Sequence, residues 1–146
     1  KRQDINQLQN NKKYSPKKET YLNEVIVKTI NAFLNTEGGE LFIGVKDDPI
    51  QIYGIEKELE MLYKSSTDNI QLHIAKLIED YIGLQFNNFI NFKIILIENK
   101  QIIHIVCKKS NIESYLKGTR FFIRSGPSSV ELKGKALIEY INERFK

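Results

Sequence analysis

The chain has 146 residues, the length of a single domain, and its 41% hydrophobic and 27% charged residues are typical of a globular protein. No apolar run approaches the roughly 18 residues that a membrane-spanning helix needs, and residues 1–18 are too polar and basic for a signal peptide. The single cysteine, Cys107, excludes an intrachain disulfide and a cysteine-based metal cluster. We therefore expect a cytoplasmic domain that works in a reducing setting and has no membrane partner.

The net charge of +4 is unevenly distributed along the chain. Residues 1–18 hold six Lys/Arg and one acid, residues 40–80 hold nine acids and four lysines, and residues 117–146 hold seven Lys/Arg and three acids. Basic ends around an acidic middle suit an anionic polymer that is held near a carboxylate site. A second interpretation stays open, because Ile, Lys and Asn make up 53 of the 146 residues. That bias is expected of an AT-rich genome, and it would make many of the lysines ordinary solvated surface.

The first part of the chain predicts a basic arm, a helix and a buried strand. Residues 1–18 are polar and lack hydrophobic periodicity, so we interpret them as an arm or long loop. The helix that follows carries one apolar stripe, places Lys28 and Asn31 toward solvent, and ends near Asn35 before two glycines. Residues 40–45 are almost wholly apolar, which predicts a central strand that is buried on both faces.

Periodicity predicts the remaining elements in alternation. They are a short strand (50–55), an amphipathic helix (67–82), a hairpin of two strands (92–97 and 102–106), a strand (120–124) and a closing helix (135–145). This order predicts an α+β fold in which a mixed β-sheet is covered by about three amphipathic helices. We expect residues 1–18 to form the arm and residues 19–146 to form the domain.

A helix, a glycine pair, a buried strand and an acidic exit follow one another in "VIVKTINAFLNTEGGELFIGVKDD" (25–48). Together with "GIEKELEMLYK" (54–64), "DNIQLHIAKLIEDYIG" (68–83), "RFFIRSGPSSVEL" (120–132) and "EYINERF" (139–145), this segment resembles the Schlafen-type AlbA-like domain over nearly the whole chain. The resemblance implies an AlbA-like Schlafen-core lobe that binds nucleic acid. For the best-known members of the family, the resemblance implies that three carboxylates cleave structured RNA, especially transfer RNA, with a divalent metal such as Mg²⁺ or Mn²⁺.

Asp47 matches the third carboxylate of this family and is the candidate metal ligand and catalytic acid, with Asp48 as the fallback. The family element Glu-x-x-x-x-Glu-Phe-Lys, which supplies the other two acids, is absent from these 146 residues, and Lys46 stands where an acid is common. Side chains of adjacent residues on an extended strand diverge, so a second ligand must come from elsewhere, and Asp4 is the candidate. The alternative is that Asp47 is a turn-forming acid before "DP".

The strand "RFFIR" carries the second group of candidates. Alternation with a period of two puts Arg120, Phe122 and Arg124 on one face, and it sends Phe121 and Ile123 to the core. Two guanidinium groups beside an open aromatic ring are suited to binding phosphates and a stacked base. The alternative is that Arg and Phe simply occupy the solvent-exposed face of an ordinary strand. With the turn that follows and the basic arm, the predicted nucleic-acid-binding residues are Arg120, Phe122, Arg124, Ser125, Lys12 and Lys13.

Three classes of function follow from these observations. The first is a nucleic-acid-binding domain with RNA, or else DNA, as its partner; the second is a metal-dependent endoribonuclease; the third is a non-catalytic assembly module of a larger defence or regulatory protein. His73 and His104 lack a partner at metal-ligand spacing and are interpreted as half-buried structural residues. The Schlafen resemblance implies two lobes that face each other and form a groove around RNA. Because one copy of this chain offers one lobe, we expect a homodimer or a second domain of a longer chain.

Overall fold

The computed structural model describes residues 16–46, 49–57 and 67–146, with side chains from Asn23 onward. Its helices are α1 (Pro16–Asn35), α2 (Thr67–Leu77) and α3 (Gly134–Arg144), with a π-helical turn (Ile78–Ile82) and a 3₁₀ helix (Leu84–Phe89) after α2. Its strands are β1 (Gly39–Ile43), β2 (Val45–Lys46), β3 (Gln51–Ile52), β4 (Ile90–Ile97), β5 (Lys100–Cys107), β6 (Phe121–Ser125) and β7 (Ser128–Leu132). This combination of helices and sheets confirms the predicted α+β class.

A three-stranded sheet has the order β1-β5-β4, and β2–β3 and β6–β7 form two smaller sheets. β4 and β5 make the predicted hairpin, whose tight turn at Glu98 and Asn99 has positive φ angles of 52° and 63°, as a type I′ turn requires. Every pair of strands in the described ranges is antiparallel, which corrects the expectation of a mixed sheet. For β2–β3, β4–β5 and β6–β7 the short connections are the reason, because a parallel pair needs a crossover of about a dozen residues or more.

The prediction of a central strand at residues 40–45 is wrong. Among the described residues β1 lies at an edge, and β5 is the strand between two neighbours. Gly44, with a φ of 106°, separates β1 from β2. Leu41 and Ile43 point into the core, whereas Phe42 lies on the other face and stacks on His104, with ring centroids 4.4 Å apart. The core therefore buries one face of the apolar run, and on the other face Phe42 is half-buried against His104.

α1 packs across the sheet and beside α2 to form one hydrophobic core. The buried side chains include Ile26, Val27, Ile30, Phe33 and Leu34 of α1, Leu41 and Ile43 of β1, Ile103 and Ile105 of β5, and Ile70, Ile74 and Leu77 of α2. Burial of each such aliphatic or aromatic side chain contributes about 1.5–3 kcal/mol. The apolar stripe predicted for α1 therefore supplies much of the core.

Polar side chains in the last turns of α1 and directly after it complete the open edge of β6. The backbone N–H of Phe122 donates to Asn31 Oδ1 (2.8 Å), and its carbonyl accepts from Asn35 Nδ2 (3.0 Å). Two residues further along the strand, the N–H of Arg124 donates to Thr36 Oγ1 (2.8 Å). Alternate backbone groups of a strand point to the same edge, so these side chains stand in for a neighbouring strand. Asn31 is 0% exposed, which corrects the prediction that it faces solvent.

The carboxyl end of α1 is capped by α3. Arg144 donates hydrogen bonds to the carbonyls of Leu34, Asn35 and Thr36, at 3.2–3.3 Å, and the hydroxyl of Tyr140 donates to Asn35 O (2.6 Å). The last carbonyls of a helix lack intrahelical partners and carry partial negative charge, so a guanidinium group there is stabilising. These contacts fix α3 beside the turn between α1 and β1.

Candidate nucleic-acid interface

β6 and β7 form a hairpin. One face of this hairpin packs against α1, and the other face packs against α3. Residues directly opposite each other share a face, so Phe122 lies beside Glu131, and Arg124 lies beside Ser129. Phe121 is on the other face, where its ring meets Tyr140 with the ring centroids 6.0 Å apart. The predicted alternation of β6 and the turn that follows it are therefore present, but sequence analysis missed β7.

The face that carries Arg120, Phe122 and Arg124 is turned toward α1 and not toward open solvent. Phe122 is 4% exposed and belongs to the core. Lys28 Nζ lies 5.7 Å and Arg120 Cζ lies 5.0 Å from the centroid of its ring. The structure thus corrects the expectation of an open aromatic surface, because the ring is covered by the protein's own side chains and offers no face to a stacked base.

Arg120 and Glu131 form a bidentate ion pair beside this ring. Arg120 Nε lies 3.1 Å from Glu131 Oε2, and Arg120 Nη2 lies 2.9 Å from Oε1. The hydrogen bonds from Arg120 lower the pKa of Glu131, and the same bonds raise the pKa of Arg120. The two side chains keep 43% and 20% of their surface exposed, so the pair lies at the boundary between the core and solvent.

A second ion pair lies on the α1 side of the same ring. Lys28 Nζ lies 2.6 Å from Glu24 Oε1, and this hydrogen bond lowers the pKa of Glu24. Arg120 contributes to the lowered pKa of Glu24, and Lys28 contributes to that of Glu131, so the charges act on one another across the ring. We call Glu24, Lys28, Arg120 and Glu131 the Phe122 charge cluster; its two cations and two carboxylates sum to zero charge.

Arg124 lies outside this cluster, at the turn between α1 and β1. Its Nη1 lies 3.0 Å from Ser129 Oγ, and its Cζ lies 5.1 Å from the centroid of the Phe33 ring. The strand ends one residue later at Ser125, which is exposed. Arg124 is half-buried, and these contacts orient its guanidinium group at the rim of the hairpin.

Two lysines that sequence analysis did not single out lie at the same turn. Gly38 packs so closely on the end of β5 that an added Cβ would come within 2.5 Å of Cys107 O and 3.0 Å of Lys109 N. Lys108 and Lys109 follow directly and are exposed, with Lys109 Nζ 3.5 Å from a carboxylate oxygen of Glu37. We call Lys108, Lys109 and Arg124 the basic rim. A pair of lysines directly after a buried strand was the signal that could have identified it.

A family model described as "Schlafen, AlbA_2" matches residues 3–133. The chain belongs to the Schlafen AlbA_2 family. The resemblance predicted from the sequence motifs is therefore confirmed. The Schlafen AlbA_2 match contains α1, α2 and all the described strands, and it ends one residue before α3.

Among solved structures, the Schlafen AlbA_2 chain is similar to the crystal structure of the DIP2311 protein from Corynebacterium diphtheriae. The TM-score is 0.60 at 14% sequence identity, and the match covers 94% of this chain. At that identity the likeness shows the fold alone. It covers 25% of the DIP2311 chain, so the Schlafen AlbA_2 chain spans about a quarter of that protein's length.

The acids expected of a Schlafen AlbA_2 nuclease do not fall in the described part of the chain. Asp4, Asp47 and Asp48 lie outside the described residues, as do the predicted phosphate-binding residues Lys12 and Lys13. Within residues 16–46, 49–57 and 67–146, no three His, Cys, Asp or Glu side chains converge to hold a metal ion. The proposed binding of Mg²⁺ or Mn²⁺ through Asp47 thus stays a prediction, and we derive no chemical step from it.

The two histidines of the Schlafen AlbA_2 domain are paired with polar side chains. His73 Nε2 lies 2.9 Å from Asn23 Oδ1, and His104 Nε2 lies 2.7 Å from Glu40 Oε1. None of the described helices combines the length and the apolar character needed to cross a membrane.

Proposed function

We propose that this Schlafen AlbA_2 domain binds nucleic acid, RNA in preference to DNA, through the basic rim. The observation that carries the proposal is the oriented guanidinium group of Arg124, which stands at the same turn as Lys108 and Lys109. A guanidinium group that is already held in place loses less rotational freedom when it binds, and its planar fork matches phosphate oxygens. Family membership supports the proposal, since the Schlafen AlbA-like resemblance implies nucleic-acid binding.

The basic rim differs from the Phe122 charge cluster in its charge balance. Lys108, Lys109 and Arg124 carry three positive charges, and Lys109 is paired with the carboxylate of Glu37. A net positive surface attracts the phosphate backbone and releases counterions when it binds. In the charge cluster each cation is matched by a carboxylate, so we assign the initial contact with the backbone to the rim.

The test is fluorescence anisotropy with a labelled RNA hairpin and with a DNA hairpin of the same sequence, titrated at several salt concentrations. We expect log K to fall linearly with log salt, and we expect tighter binding to the RNA. Arg124→Ala should weaken binding and reduce the magnitude of the slope by roughly 0.7–0.9, which corresponds to one lost phosphate contact. The matched control is Lys93→Ala, which removes an exposed cation of β4 and should leave the slope unchanged.

Two results would contradict the proposal. The first is a wild-type protein that shows no salt-dependent binding to either nucleic acid. The second is a folded Arg124→Ala variant whose affinity and slope equal those of Lys93→Ala.

A further inference from the structure

Arg120 presents its guanidinium fork to Glu131 in the way that arginine presents it to a phosphate group. Two N–H···O contacts of 2.9 and 3.1 Å join the fork to two oxygens of one acidic group. Bidentate pairing of this kind is the geometry that arginine uses for carboxylates and phosphates alike. The carboxylate of Glu131 therefore occupies the place where phosphate oxygens would fit.

The ring of Phe122 brings a second cation to the same place. Lys28 Nζ and Arg120 Cζ lie 5.7 and 5.0 Å from one ring centroid, so the two cationic groups are within about 11 Å of each other. Lys28 is held by its own carboxylate, Glu24, four residues away on α1. Two cations on a rigid apolar support, each held by an acidic side chain, form a built site whose position is set by the core.

The position of the hairpin does not depend on these ion pairs. β6 is fixed on α1 by the backbone hydrogen bonds to Asn31, Asn35 and Thr36, all of which lie beneath the surface that carries the cluster. The Lys28–Glu24 pair is a surface pair between residues four positions apart on one helix, and such pairs contribute little to stability. Both carboxylates reach solvent, with 47% of the Glu24 side chain and 20% of the Glu131 side chain exposed, so each can rotate away from its cation.

We propose that Lys28 and Arg120 form a phosphate-binding site of the domain, in which Glu24 and Glu131 hold the two cations until a phosphodiester backbone displaces the carboxylates. The proposal rests on the nucleic-acid binding proposed above and extends it from the basic rim to the Phe122 charge cluster. Because the cluster sums to zero charge, an isolated anion gains little by entering it. A polyanion that is already held at the rim supplies neighbouring phosphates at high effective concentration. Glu131 therefore determines how readily such a phosphate binds Arg120, because the phosphate must displace it.

Replacement of Glu131 by its neutral isostere tests the site through a gain of affinity. Glu131→Gln should bind the RNA hairpin several-fold more tightly than the wild type. Its salt slope should grow by roughly 0.7–0.9, because Arg120 then binds phosphate as a cation that no carboxylate already neutralises. The matched control is Glu139→Gln, which removes an equal charge from an exposed position of α3. It should leave the slope of the wild type unchanged.

A double-mutant comparison ties the gain to Arg120. The variant with both Arg120→Ala and Glu131→Gln should lose the gain in affinity and in slope, because the released guanidinium group is no longer present. Glu24→Gln provides an independent second variant, for which we expect a gain through Lys28. Thermal unfolding checks that each variant is folded.

The outcomes separate this proposal from the function on which it rests. If the wild type binds RNA with a salt-dependent affinity but Glu131→Gln and Glu24→Gln behave like Glu139→Gln, the phosphate site is refuted and the proposed function stands. If neither the wild type nor Glu131→Gln binds, the proposed function is refuted. A gain in Glu131→Gln that persists without Arg120 also refutes the site, since the effect would then come from the general field of the protein.

Discussion

Asn35 joins the carboxyl end of α1 to two other parts of the chain. Its replacement by alanine should therefore destabilise the fold and loosen the hairpin that carries Arg124. Its side chain is 0% exposed. Asn35 Nδ2 donates to Ser114 O (2.9 Å) and to Phe122 O (3.0 Å), and Asn35 Oδ1 accepts from the N–H of Ser114 (2.9 Å). These contacts span 79 and 87 residues of sequence, so no local structure replaces them.

The expected magnitude follows from which groups lose a partner. Asn31 Nδ2 also donates to Ser114 O, so that carbonyl keeps a hydrogen bond in Asn35→Ala. The N–H of Ser114 and the carbonyl of Phe122 lose theirs, and each unsatisfied buried group costs about 1–3 kcal/mol. We therefore expect a loss of about 2–6 kcal/mol in the free energy of unfolding, against a total of about 5–15 kcal/mol for a typical domain.

Urea unfolding followed by circular dichroism measures this loss. In thermal unfolding we expect the melting temperature to fall by roughly 5–15 °C. Asn142→Ala is the control, because Asn142 is exposed on α3 and its replacement should change stability by no more than about 0.5 kcal/mol. A loss below about 1 kcal/mol in Asn35→Ala would show that the side chains of α1 do not hold the edge of β6.

Four further predictions concern the cap of α1, the thiol, cleavage and assembly. Arg144→Ala should lower the free energy of unfolding by about 1–2 kcal/mol, because three carbonyls at the end of α1 lose a cationic donor; urea unfolding with Lys146→Ala as the control measures it, and equal stabilities would contradict it. Burial raises the pKa of the Cys107 thiol to about 12, so the thiol should react with an aromatic disulfide reagent at pH 8 only in denaturant, and rapid reaction of the native protein would contradict this. We expect little or no Mg²⁺- or Mn²⁺-dependent cleavage of transfer RNA by these 146 residues, because the sequence lacks the Glu-x-x-x-x-Glu-Phe-Lys element; robust cleavage that Asp47→Ala abolishes would show that the remaining acids suffice. We propose that two copies form a symmetric dimer that completes a two-sided groove, which light scattering at micromolar concentration tests; a strict monomer that still binds structured RNA tightly would refute it.

Several elements of the fold could be predicted from the sequence because their signals are local. The apolar stripe of α1, the hairpin of β4 and β5 with its polar turn, and the closing helix α3 each arise from residues that are near neighbours in the chain. The alternation of β6 was also predicted correctly, since successive side chains of a strand point to opposite faces whatever surrounds them. The motifs around the glycine pair and in "RFFIRSGPSS" identified the family for the same reason.

The tertiary structure decided what each of those faces meets. The sequence placed Arg120, Phe122 and Arg124 on one side of β6, but the folded chain turned that side toward α1, which buried Phe122 and gave Arg120 a carboxylate partner on β7. Asn31 has the chemistry of a surface residue, and it is buried because Phe122, 91 positions away, offers its backbone as a partner. Periodicity records which residues share a face, whereas burial and charge pairing depend on contacts between distant segments, which form only when the whole chain packs.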